Sequence, residues 1–489
     1  MKNTKKQNKS DQVSGVRDRK TLTTPTTLTT LFFILFGYLM LPIRNGYMLQ
    51  WYDEMSFFES TRFFFYHCLH FPGGFIAFIG SWLTQLLFYP VLGSSVLIVL
   101  WLLMAWITKK VFRLPRAAFP LAFIVPMALI ASIVQIDDAW LSMKTPGYMY
   151  SNTLGFLFVV IALWIYRALE RRQVLALLIL LITAGCYFLV GFYALLAVFI
   201  GIIFMVADSI RSKKYAGLAF AAVALISILI IPNLYYQYFT PTSVDNDYLF
   251  LKGLPDFLIE KFDLYLWIPF IVATAFLLVM AVLSALQIIP SKRWMMWTSV
   301  GLMLVCAGWN IRVDKKNEQL RATVVMLRHL EYNDWERMAL VMSRIKEPPS
   351  YVMRVLYNYA ILNLGGVGEN LNDMKPKNVD PRHAEGFSKS AFLDIPINYY
   401  NGKFNLSYRW GMEHNVQYGK RVFYLKYMVK SALLNGEYKL AKRYNDLLLR
   451  TMFYRKWAEE MNRYIEDPSL IPTNPEFRNV LQLSQSPLE

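Results

Sequence analysis

Apolar residues in this chain gather in long stretches that stop abruptly about two thirds of the way along. Nine stretches, at 27–43, 91–108, 117–134, 153–166, 173–190, 192–207, 215–231, 264–289 and 294–309, are read as bilayer-crossing helices. A tenth apolar stretch, 73–89, opens after Pro72 and ends before Pro90. Beyond Trp309 the pattern changes: apolar residues recur at three- and four-residue steps between charges, the mark of amphipathic helices. "NEQLRATVVMLRHLEYNDWERMALVMSRI" predicts two helices about a turn at 331–334. "YVMRVLYNYAILNLGGVGENL" predicts another ending at Gly365-Gly366, and "RVFYLKYMVKSALLNGEYKLAKRYNDLLLRTMFYRKWAEEMNRYI" at least three more. The expected fold class is therefore all-α: a polytopic membrane core of about nine spans over 27–309 and a soluble helical-repeat domain over 310–489. The first 26 residues, polar and basic, read as a disordered cytoplasmic tail.

Charge orients this arrangement. If 73–89 crossed the membrane, "KKVFRLPR" at 109–116 would fall on the side opposite the basic tail. If it stays at the outer interface, "KKVFRLPR", "RALERR", "RSKK" and "SKR" all fall inside, as the positive-inside rule requires. The outer segments are then 44–90, 135–152 and 233–263. They hold Asp53, Glu54, Glu59, Asp137, Asp138, Asp245, Asp247, Asp256, Glu260 and Asp263. An odd number of spans places 310–489 outside as well, which in a bacterial inner membrane is the periplasm.

Composition refines the picture without overturning it. The 489 residues are 55% hydrophobic and carry a net charge of +17. Cytoplasmic loops account for the basic excess, and no nucleic-acid motif accompanies it, so nucleic acid is not an expected partner. Cys68, Cys186 and Cys306 are too scattered for a disulfide framework or a paired-cysteine zinc site. No ionisable residue falls at mid-span, which argues against an ion-coupled transporter.

The candidate chemistry sits in the first outer segment, "LQWYDEMSFFESTRFFFYHCLHFPGG". Residues 57–71 read as an amphipathic interfacial helix, and 73–89 as a helix skimming the outer leaflet. The adjacent carboxylates Asp53-Glu54 are either a reactive pair or ordinary wet-loop acids, and the same choice applies to Asp137-Asp138. His67 and His70, three apart on one face, are either ligands or interfacial side chains. Trp51, Tyr52 and Tyr148 can stack on sugar faces or belong to an interfacial belt.

The order of these features over 27–172 resembles the polyprenol-dependent glycosyltransferases of the C-type membrane fold, such as protein O-mannosyltransferases and lipid A aminoarabinose transferases. The matching elements are Trp51-Tyr52-Asp53-Glu54, the helix at 57–71, Pro72-Gly73-Gly74, and Tyr89-Pro90-Val91-Leu92-Gly93 leading into the next span. The resemblance implies transfer of a sugar from a polyprenyl-phosphate donor to an envelope acceptor. Asp53 would be the general base with Glu54 beside it. Glu54 or Asp137-Asp138 would orient the acceptor or hold a divalent metal such as Mg or Mn. Arg62, His67, His70 and Lys144 would face the donor phosphate. Two features depart from the family pattern. His70-Phe71-Pro72-Gly73-Gly74 stands where a lysine–proline–proline element is common, and Ser94-Ser95-Val96-Leu97 where an arginine is common.

In the soluble domain, "ALLNGEYKLAKRYNDLL" resembles a tetratricopeptide-type hairpin through Ala432, Asn435-Gly436, Tyr438 and Ala441. The loop at 368–390 is long enough to fold back over the membrane-facing site. Through "YRWGMEHNVQYGK", "LLNGEYKLAKRYNDLL" and "FYRKWAEE" most of the chain resembles a family of uncharacterised membrane proteins from Bacteroidetes-type bacteria. Besides transfer chemistry, the alternative is a non-enzymatic membrane scaffold whose helical domain recruits envelope proteins. A flippase of lipid-linked material would need a polar lateral path, of which the spans show little sign.

Overall fold

A computed structural model of the protein describes residues 24–136, 144, 147–170, 172–213, 215–239, 248–256, 258, 263–287, 293–316, 318–345, 349–367 and 393–485. Of the expected tail over 1–26, residues 1–23 lie outside the described residues, as do the acid pair Asp137-Asp138 and the loop at 368–390; residues 24–26 are not tail but the first turn of a helix. The described chain is helical, with one isolated bridge between Lys252 and Leu254. Its first part runs α1 (Thr24–Tyr38), α2 (Arg44–Glu54), α3 (Arg62–Leu69), α4 (Gly74–Thr84), α5 (Pro90–Val111) and α6 (Ile124–Val134). It continues with α7 (Tyr148–Leu169), α8 (Gln173–Gly185), α9 (Tyr187–Val190), α10 (Phe192–Ser212), α11 (Ala216–Phe239), α12 (Leu264–Ala285) and α13 (Arg293–Lys316). The C-terminal part holds α14 (Glu318–Glu331), α15 (Trp335–Ser343), α16 (Tyr351–Asn363), α17 (Asp394–Tyr400) and α18 (Phe404–Tyr418). After these come α19 (Val422–Leu434), α20 (Tyr438–Leu448), α21 (Arg455–Glu466) and α22 (Pro475–Gln485).

Eight helical stretches among the described residues are long and apolar enough to cross a membrane, the architecture of a multi-pass helical membrane protein. The sequence predicts nine. The difference is the stretch 173–190, which is not one helix: α8 stops after 13 residues and the single turn α9 follows. Tyr187 in that turn donates its hydroxyl to the carbonyl of Leu249 at 2.6 Å, tying the break to a neighbouring loop. The first span also runs longer than expected. α1 passes through a π turn at Leu39–Ile43 containing Pro42 and continues as α2 to Glu54. A proline withholds one backbone donor, and the π turn absorbs the disruption without ending the helix. Asp53 and Glu54 are thus the last turn of a helix and not a solvated loop.

The bundle has two chemically distinct ends. At one, Arg167 at the end of α7 donates to the carbonyl of Val111 at 3.1 Å and to Ser284 at 2.8 Å, and Arg211 donates to the carbonyl of Ala285. Lys109, Lys110, Arg113, Arg116, Arg172 and Lys213 belong to the same end. At the other end Phe192 N donates to the carbonyl of Lys252, and the C-terminal helices cover the bundle. The apolar helix α4 keeps to this second end. Gly73 at its start lies against Gly253, so close that a Cβ there would meet the Gly253 Cα at 2.7 Å. Phe88 just beyond α4 stacks on Phe453 of the C-terminal part at 5.2 Å. In its middle α4 crosses the start of α7, where Gly147 adopts φ +70° and leaves no room for a side chain.

The C-terminal helices follow the sequence pattern closely. Asp334 caps α15 by accepting from the Arg337 N–H, and Gly365-Gly366 closes α16. The hairpin at Asn435-Gly436 joins α19 to α20, with Ala432 and Ala441 fully buried between them. The central α19 is buried at every position from Val422 to Leu433. The amphipathic helix expected at 57–71 is shorter than predicted. Thr61 caps α3 at Arg62 by accepting from Phe64 N at 3.2 Å. Residues 56–59 are drawn out to meet the C-terminal part: Val422 N donates to the carbonyl of Ser56, and Phe57 joins the apolar cluster of Val422 and Leu425.

Candidate functional site

The seam between the first span and the C-terminal helices is built from charges. Glu54 receives Arg328 at 2.8 Å and faces Lys426 at 3.6 Å. Glu331 receives the same two cations at 3.1 Å each. Asp53, only 1% exposed, accepts a hydrogen bond from the hydroxyl of Tyr454. Farther out Glu59 pairs with Arg450 at 2.7 Å. Apolar contacts run alongside, with Trp51 edge-on to Phe423 at 4.9 Å and Phe88 edge-on to Tyr454 at 5.4 Å. Burial alone would raise the Glu331 carboxyl, but Lys426, Arg328 and Lys430 together hold it below its ordinary range. Burial opposes the charge on Lys426, and Glu331 and Glu54 outweigh it and raise its pKa.

This arrangement places Asp53 and Glu54 in a closed interior. The space beside Asp53, bounded by Gln85, Val422 and Tyr454 among others, measures about 10 Å³, room for one water at most. Glu54 is satisfied by two cations, which is not the surrounding of a metal ligand. Among the described residues no group of three or more His, Cys, Asp or Glu side chains is placed to hold a metal ion.

An open cleft of about 430 Å³ lies on the other side of the wall formed by Ser56 and Phe57. Four basic residues line it: His67 from α3, Lys144, and Lys420 and Arg421 from the turn before α19. Tyr52, Phe64 and Tyr418 supply aromatic walls, Glu59 the one carboxylate among its described lining residues, and Gly147-Tyr148 bring the N-terminal end of α7 to its edge. Arg421 is 3% exposed, with a guanidinium N–H on the Met55 sulfur at 3.7 Å and the Tyr424 ring 5.5 Å away. Burial lowers its pKa. Basic side chains, aromatic faces and a helix N-terminus in a space of this size are the chemistry that can hold an anionic group attached to an apolar or sugar-like body.

Of the basic residues predicted for a donor phosphate, His67 and Lys144 therefore share one cleft. Arg62 at the start of α3 and His70 just past its end are exposed and do not line it; His70 Nδ1 lies 2.8 Å from the carbonyl of Tyr66. Sequence reading missed Arg328, Glu331, Lys426, Tyr454, Lys420 and Arg421. The signal that could have found two of them was present: α19 is apolar almost all round, yet carries Lys426 and Lys430 one turn apart, and buried lysines require acidic partners.

The match to a family model runs from residue 20 to residue 487, across both the bundle and the helical cap. The chain belongs to a family of unknown function, DUF6057. No curated protein and no solved structure matches it. The family spans the seam as well as the two parts on either side, so span and cap are one inherited unit.

Proposed function

We propose that this DUF6057 protein binds a lipid-linked anionic group of the polyprenyl-phosphate-sugar class in the cleft, at the outer face of a bacterial inner membrane, and transfers the sugar to an envelope acceptor. The observation that supports this reading is the convergence of His67, Lys144, Lys420 and Arg421 on one aromatic-walled cleft of about 430 Å³. In the transfer step an acceptor O–H attacks the anomeric carbon, the bond from that carbon to the phosphate oxygen breaks, and the phosphate leaves as an anion stabilised by the cations. The proton passes to a carboxylate. Glu59 lines the cleft, whereas Asp53 can serve only if Tyr454 withdraws. The likeness to glycosyltransferases rests on the order of features along the chain, with no relative to carry it.

The test uses purified protein in nanodiscs with a labelled polyprenyl-phosphate sugar. Charge-assisted hydrogen bonds contribute ~1.5–3 kcal/mol each, so Lys144→Ala and Lys420→Ala should each weaken donor binding by about tenfold or more. Unchanged binding in both variants refutes the site. If transfer is observed, Glu59→Gln and Asp53→Asn decide the base, since loss of general-base catalysis lowers the rate by ~10²–10⁴. The helical hairpin at Asn435-Gly436 favours a second reading, recruitment of envelope proteins by the cap. Crosslinked partners retained by the Lys144 and Lys420 variants, with no donor binding by wild type, would select it.

A further inference from the structure

A second cavity lies at the opposite, basic end of the bundle and plays no part in the function proposed above. It is an apolar groove of about 1150 Å³ between α1, the 3-10 turn Arg116–Phe123 and the start of α13. Leu28 and Leu31 form one wall, Phe119 and Pro120 the floor, Trp297 and Val300 the other wall. Leu28 and Trp297 are 68% and 71% exposed, so the groove faces outward from three membrane-crossing helices. Its rim is not apolar. Arg116 lines it and is exposed, and Lys109 Nζ stands 5.0 Å above the ring of Phe119.

We infer that this groove binds one anionic phospholipid, its acyl chain laid between α1 and α13 and its phosphate against Arg116 and Lys109. A phospholipid is the membrane component that combines an anionic group at the bilayer surface with an apolar chain reaching inward, and basic pockets between spanning helices attract such headgroups. The N-terminal residues 1–23 are a poor alternative occupant, because "KNTKKQNKSDQ" offers no apolar run and repels the same cations. The inference stands or falls independently of the cleft at the other end.

The test is native mass spectrometry of the full chain released from nanodiscs containing equal amounts of phosphatidylglycerol and phosphatidylcholine. Wild type should retain phosphatidylglycerol in preference. Taking ~1 kcal/mol per basic residue near the surface, Arg116→Gln should lower that preference about fivefold, and adding Lys109→Gln should lower it about fivefold again. Val300→Trp, which fills the groove and touches neither cation, should reduce retention of both lipids. Equal retention of the two lipids by wild type overturns the proposal, as does retention unchanged in the charge variants. A wild-type dimer that Val300→Trp converts to monomer, or an increase in bound lipid on removing residues 1–23, would assign the groove to protein and overturn it too.

Discussion

Replacing Glu54 with glutamine keeps the shape of the seam and removes one negative charge from it. In the native protein Glu54 and Glu331 face Arg328 and Lys426, so four clustered charges sum to zero. The variant leaves one positive charge uncompensated next to the Trp51–Phe423 contact. Removing one partner of a buried pair costs about 3–5 kcal/mol. Two features lower that figure: Glu331 still contacts both cations, and the Arg328 side chain is 22% exposed and can turn toward water. The expected loss is about 2–3 kcal/mol, just under the range for a fully buried pair. At ~2–4 °C per kcal/mol, the scale for a domain of roughly 150–250 residues such as the cap, thermal unfolding in detergent should shift down by roughly 4–12 °C, read by the fluorescence of the 13 tryptophans. The double variant Glu54→Gln/Lys426→Met restores neutrality, so its loss should fall short of the summed single losses by at least ~0.5 kcal/mol, as expected for residues in contact. A Glu54→Gln midpoint within 1 °C of wild type, or strict additivity in the double variant, would refute the reading of the seam as a mutually neutralised cluster.

Asp53 offers a comparison of chemistry with structure. Asp53→Asn still presents an oxygen to Tyr454 and should cost little stability, whereas Asp53→Ala strands the buried hydroxyl and should cost ~1–3 kcal/mol; equal losses in thermal unfolding would contradict this. The seam also predicts a pH profile. Glu331 titrates below its ordinary value of 4.5 in the folded protein, so its contribution is complete above pH 4.5 and is lost as pH falls through the lower folded value. Lys426 titrates above its ordinary 10.5, so its contribution is complete below pH 10.5 and is lost as pH rises through the higher folded value. A stability plateau between those limits is expected, and Glu331→Gln should flatten the acid limb; an acid limb unaltered in that variant counts against the assignment. Cysteines introduced into a cysteine-free background at the exposed positions Trp82, Val416 and Tyr215 test the two-ended bundle. Positions 82 and 416 should react with an impermeant thiol reagent from one side of the membrane and 215 from the other; labelling of 82 together with 215 would mean that α4 crosses.

The membrane helices were legible because their signal is local: length and apolarity suffice, and neither depends on what the helix touches. Cap signals were legible for the same reason, as at Asp334 and Asn435-Gly436, where the residue types needed for the turn sit in the turn. The charged seam was hidden because its members come from positions far apart in the chain. Nothing near Asp53-Glu54 announces Arg328, Lys426 or Tyr454, and an acid pair beside an apolar stretch looks the same whether water or a cap covers it. The extension of the first span to Glu54 was hidden by Pro42, which reads as a stop. In the structure Asn45, the second residue of α2, donates to the carbonyl of Met40 and to Asp314 of α13, which ties the irregular turn to a neighbouring helix. The lysines of α19 show the remedy. A charge at a position that periodicity makes interior is a request for a partner, and acids elsewhere can be searched for as its answer.

The seam also determines how the cleft can work. Tyr52 comes from α2, Glu59 from the stretch before α3, His67 from α3, and Lys420 and Arg421 from the cap, so no one part holds the site. Its width is set by the fit of the cap on the bundle, and that fit depends on Glu54 with Arg328 and Lys426, Glu59 with Arg450, and Phe88 with Phe453. Deleting the cap would therefore not isolate a simpler form of the same cleft. It would expose Trp51, Phe57 and the Asp53–Glu54 turn to water and remove two of the four basic residues at once. For the same reason Asp53 and the cleft are coupled: a movement of the cap as one body that withdraws Tyr454 from Asp53 also shifts α19 and, with it, Arg421 at the wall of the cleft. If Asp53 takes a proton during turnover, ligand binding at Arg421 has to supply the free energy that breaks the Tyr454 hydrogen bond. The two sites should then show reciprocal effects, with Tyr454→Phe changing the affinity of the cleft for its anionic ligand although Tyr454 does not line it.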